Sequence, residues 1–256
     1  DPDKRYASFP LTDVQHTYWI GRQAGYALGN VATYIYFEHD ARDLDRNRLA
    51  RSWNRLVRRH DMLRTVFAPD GTQRALPQVE DYVIEHLDLT TDAEAARSER
   101  LDQIREVLSR RVLSSDQWPL FEIRTTQIDD GLARIHFGID MLVCDAQSFQ
   151  ILMRGLAELM TGPEDLGPEL EITFRDCVMW QQDERHSERY AQASAYWRDR
   201  LPSLPAAPAL PLTLNPTDIE SPRFVRSLRL LDGECWSRLK AQAQKQGLTP
   251  TTLVLA

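Results

Sequence analysis

The segment from Arg134 to Ser148 constrains the fold most, because the apolar residues before its loop and those that follow Ser148 have different spacings. Apolar residues first alternate with others, which predicts a strand with one buried face: Ile135, Phe137, Ile139. They then recur every three or four residues, which predicts an amphipathic helix: Phe149, Leu152, Met153, Leu156, Leu159, Met160. The loop between them carries the carboxylates of Asp140 and Asp145 and the hydroxyl of Ser148. We therefore expect a strand-loop-helix unit whose loop is a candidate functional site.

Composition indicates a globular protein of one large domain or two smaller ones. The chain has 256 residues, of which 42% are hydrophobic, enough for a packed core. Its net charge of -7 argues against binding nucleic acid or a membrane surface by bulk electrostatics. We also expect no membrane span, because no apolar run approaches the roughly 20 residues that a span requires.

The three cysteines, Cys144, Cys177 and Cys235, predict neither a disulfide framework nor a metal site. Their number is odd and they show no C-x-x-C spacing. This pattern is typical of a reducing compartment, so we expect a cytoplasmic location. Because the sequence begins without Met and stops at Ala256, where a helix is starting, we expect it to be a piece of a longer polypeptide.

Helices and strands alternate along the first part of the chain. Thr12 and Gln15 form a capping-box pattern, so a helix is expected from there to about Trp19. The strands predicted next are Val31 to Glu38, Met62 to Phe67 and Thr72 to Leu76, the last two joined at Asp70-Gly71. Between them, Asp45 to His60 is predicted to be a helix that buries Leu49, Trp53, Leu56 and Val57.

The alternation continues up to a proline-rich segment. A charged helix is predicted over Asp92 to Leu113, with a buried stripe of Leu101, Ile104, Leu108 and Val112. A hairpin of Pro119 to Ile128 and Leu132 to Asp140 follows, and then a helical segment, Phe174 to Leu201, with Trp180, Tyr196 and Trp197 at expected buried positions. Five prolines from Leu201 to Pro216 indicate an extended crossing segment. Beyond it we expect a strand over Phe224 to Leu231 and helices over Cys235 to Gln246 and from Thr249-Pro250.

Several separated motifs resemble those of the heterocyclization domains of nonribosomal peptide synthetases, a branch of the condensation-domain superfamily. The opening motif is Phe9-Pro10-Leu11-Thr12 with Gln15, Tyr18, Gly21 and Arg22, and the second is Arg59 to Arg64 with Asp70-Gly71-Thr72-Gln73. Asp140, Asp145 and Ser148 reproduce the central D-x-x-x-x-D-x-x-S signature. The prolines after Leu201 and the Thr249-Pro250 pair resemble the next two motifs. The family's later motifs lie beyond Ala256, so the resemblance covers the first part of a domain.

The resemblance implies an α/β fold like a lobe of chloramphenicol acetyltransferase, with a mixed β-sheet and flanking helices, plus the start of a second similar lobe. The first lobe is expected at residues 1–200, the proline-rich crossing segment at 201–222 and the truncated second lobe at 223–256. In this family the active site is a tunnel between the lobes. Substrates enter it on the phosphopantetheine arms of carrier proteins, so no directly bound cofactor is expected.

Met141 separates two reactions within the superfamily. Ordinary condensation domains carry H-H-x-x-x-D-G, and alignment with that motif places Met141 at its second His. A thioether cannot accept or position a proton as imidazole does. The resemblance therefore implies amide formation between a carrier-bound acyl donor and a Cys, Ser or Thr acceptor, followed by cyclodehydration to a thiazoline or oxazoline. A non-catalytic carrier-binding scaffold and an amide-only condensation domain are the alternatives.

Three residues of the signature are the candidate catalytic set: Asp140, Asp145 and Ser148. Asp140 either orients the loop from the strand end or faces the reaction channel. Asp145 precedes a helix and is expected mainly to cap it. An ion pair between Asp145 and Arg64 is a further hypothesis for what holds the loop. Ser148 is expected at the helix N-terminus rather than as a nucleophile, since no neighbouring His would activate it.

The remaining candidates have supporting roles. We expect His60 to end a helix where the dipole favours a cation, and His136 to be a structural histidine. Met141, Cys144, Gln15 and Tyr18 are assigned to the substrate tunnel, with Cys144 as a packing residue. The expected partners are peptidyl or aryl carrier-protein domains, the adenylation domain of the same synthetase and the second lobe.

Overall fold

The computed structural model describes residues 2–206, 211–220, 222–225 and 229–255. Contacts divide the chain into two units, Asp1–Pro222 and Arg223–Ala256. The strands are β1 (Phe9–Pro10), β2 (Tyr34–Arg42), β3 (Thr65–Phe67), β4 (Thr72–Ala75), β5 (Glu85–Asp88), β6 (Phe121–Gln127) and β7 (Leu132–Asp140). The helices are α1 (Asp13–Gly21), α2 (Arg46–Arg59), α3 (Glu94–Leu108), α4 (Ala146–Thr161), α5 (Phe174–Glu184), α6 (Glu188–Arg200), α7 (Gly233–Lys245) and α8 (Pro250–Leu255).

The larger sheet is mixed and has the strand order β2-β7-β6-β5. Strands β2, β7 and β6 are antiparallel, and the predicted β6–β7 hairpin is confirmed. Strand β5 joins the edge in parallel with β6. The sequence did not predict β5, because its residues are mostly polar and exposed and lack the alternation of a half-buried strand. The register places Tyr34 opposite Asp140, at the end of β7 where the signature loop begins.

One face of this sheet packs against α2 and α4 to form the core. Trp53 of α2 makes edge contacts with Phe121 and Phe137, at ring-centroid distances of 5.1 and 5.6 Å. The predicted apolar face of α2 is buried throughout: Leu49, Trp53, Leu56, Val57. Helix α4 contributes Leu152, Leu156 and Leu159, as its spacing predicted. This packing fixes the positions of β7 and α4, the two elements that flank the signature loop.

The opposite face of the sheet is polar and contains a buried histidine. His136 Nε2 lies 3.1 Å from Thr126 Oγ1, and Nδ1 lies 3.0 Å from the Tyr36 hydroxyl. Because that hydroxyl donates its only hydrogen to Glu38, Nδ1 of His136 must carry a proton and donate to Tyr36. Burial lowers the pKa of His136 to about 4. The predicted structural role of His136 is therefore confirmed.

The smaller sheet holds the opening and second motifs together. Its order is β1-β4-β3, with Phe9 opposite Gln73. The hairpin of β3 and β4 forms where Asp70-Gly71 predicted a turn, although a 3-10 turn, Asp61–Arg64, replaces the start of the expected first strand. Helix α1 begins with the predicted Thr12–Gln15 capping box. The sheet thereby places α1 beside the β3–β4 hairpin.

Two predictions for the long helices were wrong in part. Helix α3 ends at Leu108 rather than Leu113, and Val112 of the predicted buried stripe is 46% exposed. The segment Phe174 to Leu201 forms two helices, because Ser187 caps a new helix with its hydroxyl. Three aromatic residues expected to be buried are exposed instead: Trp180, Tyr196, Trp197. An aromatic side chain is buried only where another element packs over it, and residue type alone does not determine that. Helix α6 has no buried residue.

The predicted helix break in the proline-rich segment is confirmed: the described residues contain only short 3-10 turns, Leu201–Ser203 and Pro216–Asp218. Residues 207–210, which include Pro208 and Leu210, lie outside the described residues. The strand expected over Phe224 to Leu231 is absent from its described residues, 224–225 and 229–231, and residues 226–228 lie outside them. Helices α7 and α8 form where helices were predicted.

The domain limits at residues 200 and 222 stay a prediction. In the ranges that the structure describes, no helix is long and apolar enough to cross a membrane.

Candidate active site

Asp140 ends β7 as a buried carboxylate with two partners. Its Oδ2 accepts a hydrogen bond from Arg22 Nη1 at 2.8 Å, and its Oδ1 accepts one from the backbone N–H of Leu142 at 3.0 Å. Only 1% of the Asp140 side chain and 6% of the Arg22 side chain are exposed. Burial raises the pKa of Asp140, whereas the charge of Arg22 and the hydrogen bonds oppose that rise. The arrangement fixes the direction of the carboxylate within the loop.

Helix α1 contacts the signature loop at two points. Arg22, the C-cap of α1, binds Asp140, and Gln15 near its start donates from Nε2 to the carbonyl of Leu142 at 2.8 Å. Leu142 is therefore held through its N–H by Asp140 and through its C=O by Gln15. Tyr18, between the two α1 residues, is partly buried and packs against the core. The opening motif thus positions the loop.

A second buried amide, Gln73 of β4, supports Gln15. Nε2 of Gln15 donates to Oε1 of Gln73 at 2.9 Å, and Nε2 of Gln73 donates to Oε1 of Gln15 at 2.8 Å. Gln73 also donates to the carbonyl of Pro10 at 3.1 Å. The two side chains are 6% and 0% exposed. The opening motif, the second motif and the signature loop therefore meet in one hydrogen-bonded cluster.

Asp145 and Ser148 lie at the other end of the loop, where α4 begins. Asp145 is the N-cap of α4, the position that the sequence predicts, and its Oδ1 accepts from the N–H of Ser148 at 2.7 Å. Hydrogen bonding from Ser148 lowers the pKa of Asp145, which is exposed. The two carboxylates of the signature therefore differ in environment: Asp140 is buried against a cation, and Asp145 faces solvent at a helix N-terminus.

The loop residues between the carboxylates pack inward. Cys144 is 3% exposed within the core, and burial raises the pKa of its thiol to about 12. A thiol in that state is a poor nucleophile, in agreement with a packing role. Met141 is partly buried, and its N–H donates to the carbonyl of Thr33 at 2.9 Å. The thioether of Met141 offers no group that titrates.

The hypothesis of an ion pair between Arg64 and Asp145 is wrong. Arg64 binds Asp61 at 2.6 Å and donates to the carbonyls of Val57, Arg58, Leu76 and Pro77. Asp61 also accepts from Arg5 at 2.8 Å. Arg64 is 4% exposed, so its guanidinium organises the turn between α2 and β3 instead of the signature loop.

His60 caps α2 at its C-terminus, as expected, but its predicted preference for a cation is not observed. Burial and the neighbouring Arg59 lower the pKa of His60, and together they outweigh the attraction of Asp61. His60 therefore favours the neutral form.

Tyr34 and Gly138 make an unusually close approach on the polar face of the sheet. A Cβ on Gly138 would lie 1.8 Å from the Tyr34 hydroxyl oxygen and 2.5 Å from Cζ, so the ring requires a glycine beneath it. Burial raises the pKa of Tyr34, and its hydroxyl has no hydrogen-bond partner among the described residues. The phenol therefore covers the strand next to Asp140.

A cleft of about 330 Å³ opens beside the buried ion pair. Its lining includes Trp19 of α1, the C-cap Arg22, Pro69, Leu113 and Asp116. Arg22 also donates to the carbonyl of Leu113. The guanidinium of Arg22 thus connects the cleft with the signature loop.

Arg22 and Gln73 have no role that the sequence predicts, although Arg22 stands in the opening motif and Gln73 in the second. Their partners are distant in sequence, so no local spacing identifies them. The signal available was that a buried carboxylate and a buried glutamine each require a polar partner. Within the part of the chain that the structure describes, no group of three or more His, Cys, Asp or Glu side chains is placed to hold a metal ion.

Comparison with known proteins identifies the family. The profile of the family described as "Condensation domain" matches residues 7–256. The chain belongs to the condensation-domain family. This confirms the superfamily that the motifs indicated, and the mixed α/β architecture agrees with it.

Among similar proteins, phenyloxazoline synthase MbtB of Mycolicibacterium paratuberculosis is 37% identical over 260 residues, covering 100% of this chain and 22% of that protein. Bacitracin synthase 1 of Bacillus licheniformis is 34% identical over 256 residues, covering 100% of this chain and 5% of that protein. The solved structure of the EpoB NRPS cyclization-docking bidomain from Sorangium cellulosum has a TM-score of 0.87 and 33% identity, with coverage of 98% of this chain and 50% of that one. The chain thus spans only a fraction of each relative.

Proposed function

We propose that this chain is the N-terminal part of a heterocyclization domain in a nonribosomal peptide synthetase. The domain joins a carrier-bound acyl donor to a carrier-bound Cys, Ser or Thr. It then closes the side chain onto the new amide carbonyl, and loss of water gives a thiazoline or oxazoline. The similarity to the solved EpoB cyclization-docking bidomain supports this branch.

Met141 carries the proposal. It occupies the position of the second His of the ordinary condensation motif, next to Asp140 in a loop that Gln15 and Arg22 hold in place. Because a thioether cannot exchange a proton, this position cannot serve as the histidine of an amide-only domain. The signature residues Asp140, Asp145 and Ser148 are all present beside it.

The roles of the candidate residues follow from their surroundings. Asp140 orients the loop and, through Arg22, borders the cleft. Asp145 stabilises the start of α4 and presents an ionised carboxylate to solvent. Substrates arrive on phosphopantetheine arms, so the partners are carrier-protein domains, the adenylation domain of the same synthetase and the second lobe. A cytoplasmic location belongs to the same proposal.

In the decisive experiment the complete domain receives two loaded carrier proteins, one bearing the acyl donor and the other bearing cysteine. The product thioester is analysed by mass spectrometry. A product lighter by one water than the linear dipeptide supports cyclodehydration. A linear product alone contradicts it and favours an amide-only condensation domain. Absence of either product, with both carriers shown to bind, favours a non-catalytic scaffold. Seryl and threonyl carriers run in parallel identify the acceptor.

A further inference from the structure

We propose that Gln73 is a positioning residue for the reaction: it fixes the Gln15 amide, which in turn fixes the Leu142 carbonyl of the signature loop. The observation is a reciprocal pair of hydrogen bonds between the two side-chain amides, at 2.9 and 2.8 Å. Gln73 does not border the cleft beside Arg22 and makes no contact with Asp140, Asp145 or Ser148 that the structure records. Its effect on the loop is therefore exerted through Gln15.

Two backbone carbonyls determine how both amides are oriented. Leu142 O accepts from Gln15 Nε2 at 2.8 Å, and Pro10 O accepts from Gln73 Nε2 at 3.1 Å. Rotating either amide by 180° would place an oxygen against a carbonyl oxygen and break the reciprocal pair. With this orientation each Nε2 uses both of its hydrogens. The cluster therefore has one arrangement.

Burial makes the arrangement costly to disturb. Gln73 is 0% exposed and Gln15 is 6% exposed, so water does not readily replace a lost partner. Removing the Gln73 amide leaves one hydrogen of Gln15 Nε2 unsatisfied in a buried position and removes one of the two acceptors that fix the direction of this nitrogen. Oε1 of Gln15 keeps its hydrogen bond from the N–H of Thr12 at 3.1 Å, so helix α1 retains its cap.

Loss of the Gln73 amide affects the loop at Leu142, two residues after Asp140. Leu142 is 1% exposed, its N–H donates to Asp140, and its C=O accepts from Gln15. When the C=O shifts, Leu142 keeps only the hydrogen bond from its N–H to Asp140, and the two peptide groups that flank it lose one of their two anchors. A displacement near 1 Å at a reacting centre costs up to about 100-fold in rate. We therefore expect Gln73 to influence turnover more than substrate binding.

The inference rests on the proposed function only for its readout. The variants are Gln73→Met, Gln15→Met and the double variant in the complete domain, with Gln103→Met as the control at an exposed position of α3. Methionine has a length similar to glutamine and removes the amide. Rates are normalised to the folded fraction, which is measured from the amplitude of the thermal unfolding transition.

We expect Gln73→Met to lower kcat for amide formation about 10- to 100-fold while KM for the acceptor carrier stays within about twofold. The double variant should be no slower than Gln15→Met, because both substitutions act through one contact. An unchanged kcat in Gln73→Met, or losses that multiply in the double variant, would overturn the inference.

Two further arrangements keep the test interpretable. If Gln73→Met does not fold, Gln73→Asn, which keeps an amide but is one methylene too short to reach Gln15, takes its place with the same expected result. Linear and cyclised products are counted together. A wild-type domain that makes only the linear product therefore contradicts the proposed heterocyclization without affecting the test of Gln73.

Discussion

The guanidinium of Arg22 lies 2.8 Å from the carboxylate of Asp140, and the two side chains are 6% and 1% exposed. One residue caps the C-terminus of α1, and the other ends β7. The contact therefore joins the opening motif of the chain to its central signature.

Removing Arg22 should destabilise the protein strongly, because it leaves Asp140 as an uncompensated buried charge. We expect Arg22→Met to lower the free energy of unfolding by about 3–5 kcal/mol, measured by urea titration. Adding Asp140→Asn should recover part of that loss, since the amide is neutral and still accepts from Leu142. The control is Arg51→Met, which breaks an exposed ion pair with Glu164 and should leave the midpoint near that of the wild type. Equal midpoints for the two single variants would contradict a buried pair.

Asp145 should act mainly as a helix cap. Asp145→Ala removes the acceptor for the N–H of Ser148 and should cost about 1 kcal/mol of stability. Asp145→Asn retains an acceptor oxygen and should remain within a few tenths of a kcal/mol of the wild type. Thermal unfolding measures both. Product formation by Asp145→Asn close to the wild-type rate supports the structural role, whereas a large loss of rate at unchanged stability assigns the carboxylate to the chemistry.

Gly138→Ala should destabilise the sheet, because the new methyl group would meet the Tyr34 hydroxyl oxygen at 1.8 Å. Overpacking of this kind costs about 1–3 kcal/mol. When Tyr34→Ala has removed the ring, adding Gly138→Ala should cost less stability than Gly138→Ala costs in the wild type. The two substitutions should therefore not be additive. Gly21→Ala is the matched control, since its Cβ would meet nothing within 4 Å. Denaturant titration of all the variants gives the comparison.

Buried His136 should make the protein less stable in mild acid. Its pKa falls from the ordinary 6.5 to about 4 through burial, so the unfolded chain takes up the proton first as the pH decreases. The neutral form of His136 makes its full contribution to the free energy of unfolding above pH 6.5. This contribution decreases by about 3 kcal/mol in total between pH 6.5 and about 4. Nearby Glu38 favours the cation, whereas Arg134, Arg105 and Arg124 oppose it.

This expectation is tested by measuring the free energy of unfolding across that pH range for the wild type, His136→Gln and His186→Gln. The His136 variant should show a flatter dependence on pH, and the exposed His186 variant should keep the wild-type slope. A wild-type slope in both variants would assign the acid sensitivity to other groups.

Much of the fold could be predicted from the sequence because its determinants are local. The spacing of apolar residues in α2 and α4 and the Thr12–Gln15 cap depend only on neighbours within a few residues. The hairpin of β6 and β7 likewise follows from its turn and its alternation. Strand β5 was missed because its place at the sheet edge is set by pairing with β6, and its own residues carry no such pattern.

The candidate site shows the same limit. The signature loop, with Asp140, Met141, Asp145 and Ser148, could be located by sequence, and Met141 alone distinguishes the proposed reaction from ordinary condensation. The ion pair proposed between Asp145 and Arg64 does not form: Arg64 binds Asp61, three residues away. The carboxylate that is buried is Asp140, and its cation is Arg22. A requirement for a cation could be inferred from the buried position, but its identity depends on where distant elements meet.

The sequence by itself determined helices α1, α2 and α4, the main hairpin, the caps Thr12 and Asp145 and the residues of the signature loop, because periodicity and capping act between near neighbours. Only the tertiary structure decided what holds that loop: Arg22 reaches Asp140 across 118 positions of sequence, and Gln15 reaches Gln73 across 58. These contacts arise because the two sheets and α1 bring buried polar groups together. A polar group removed from water binds whichever complementary group the packing places beside it.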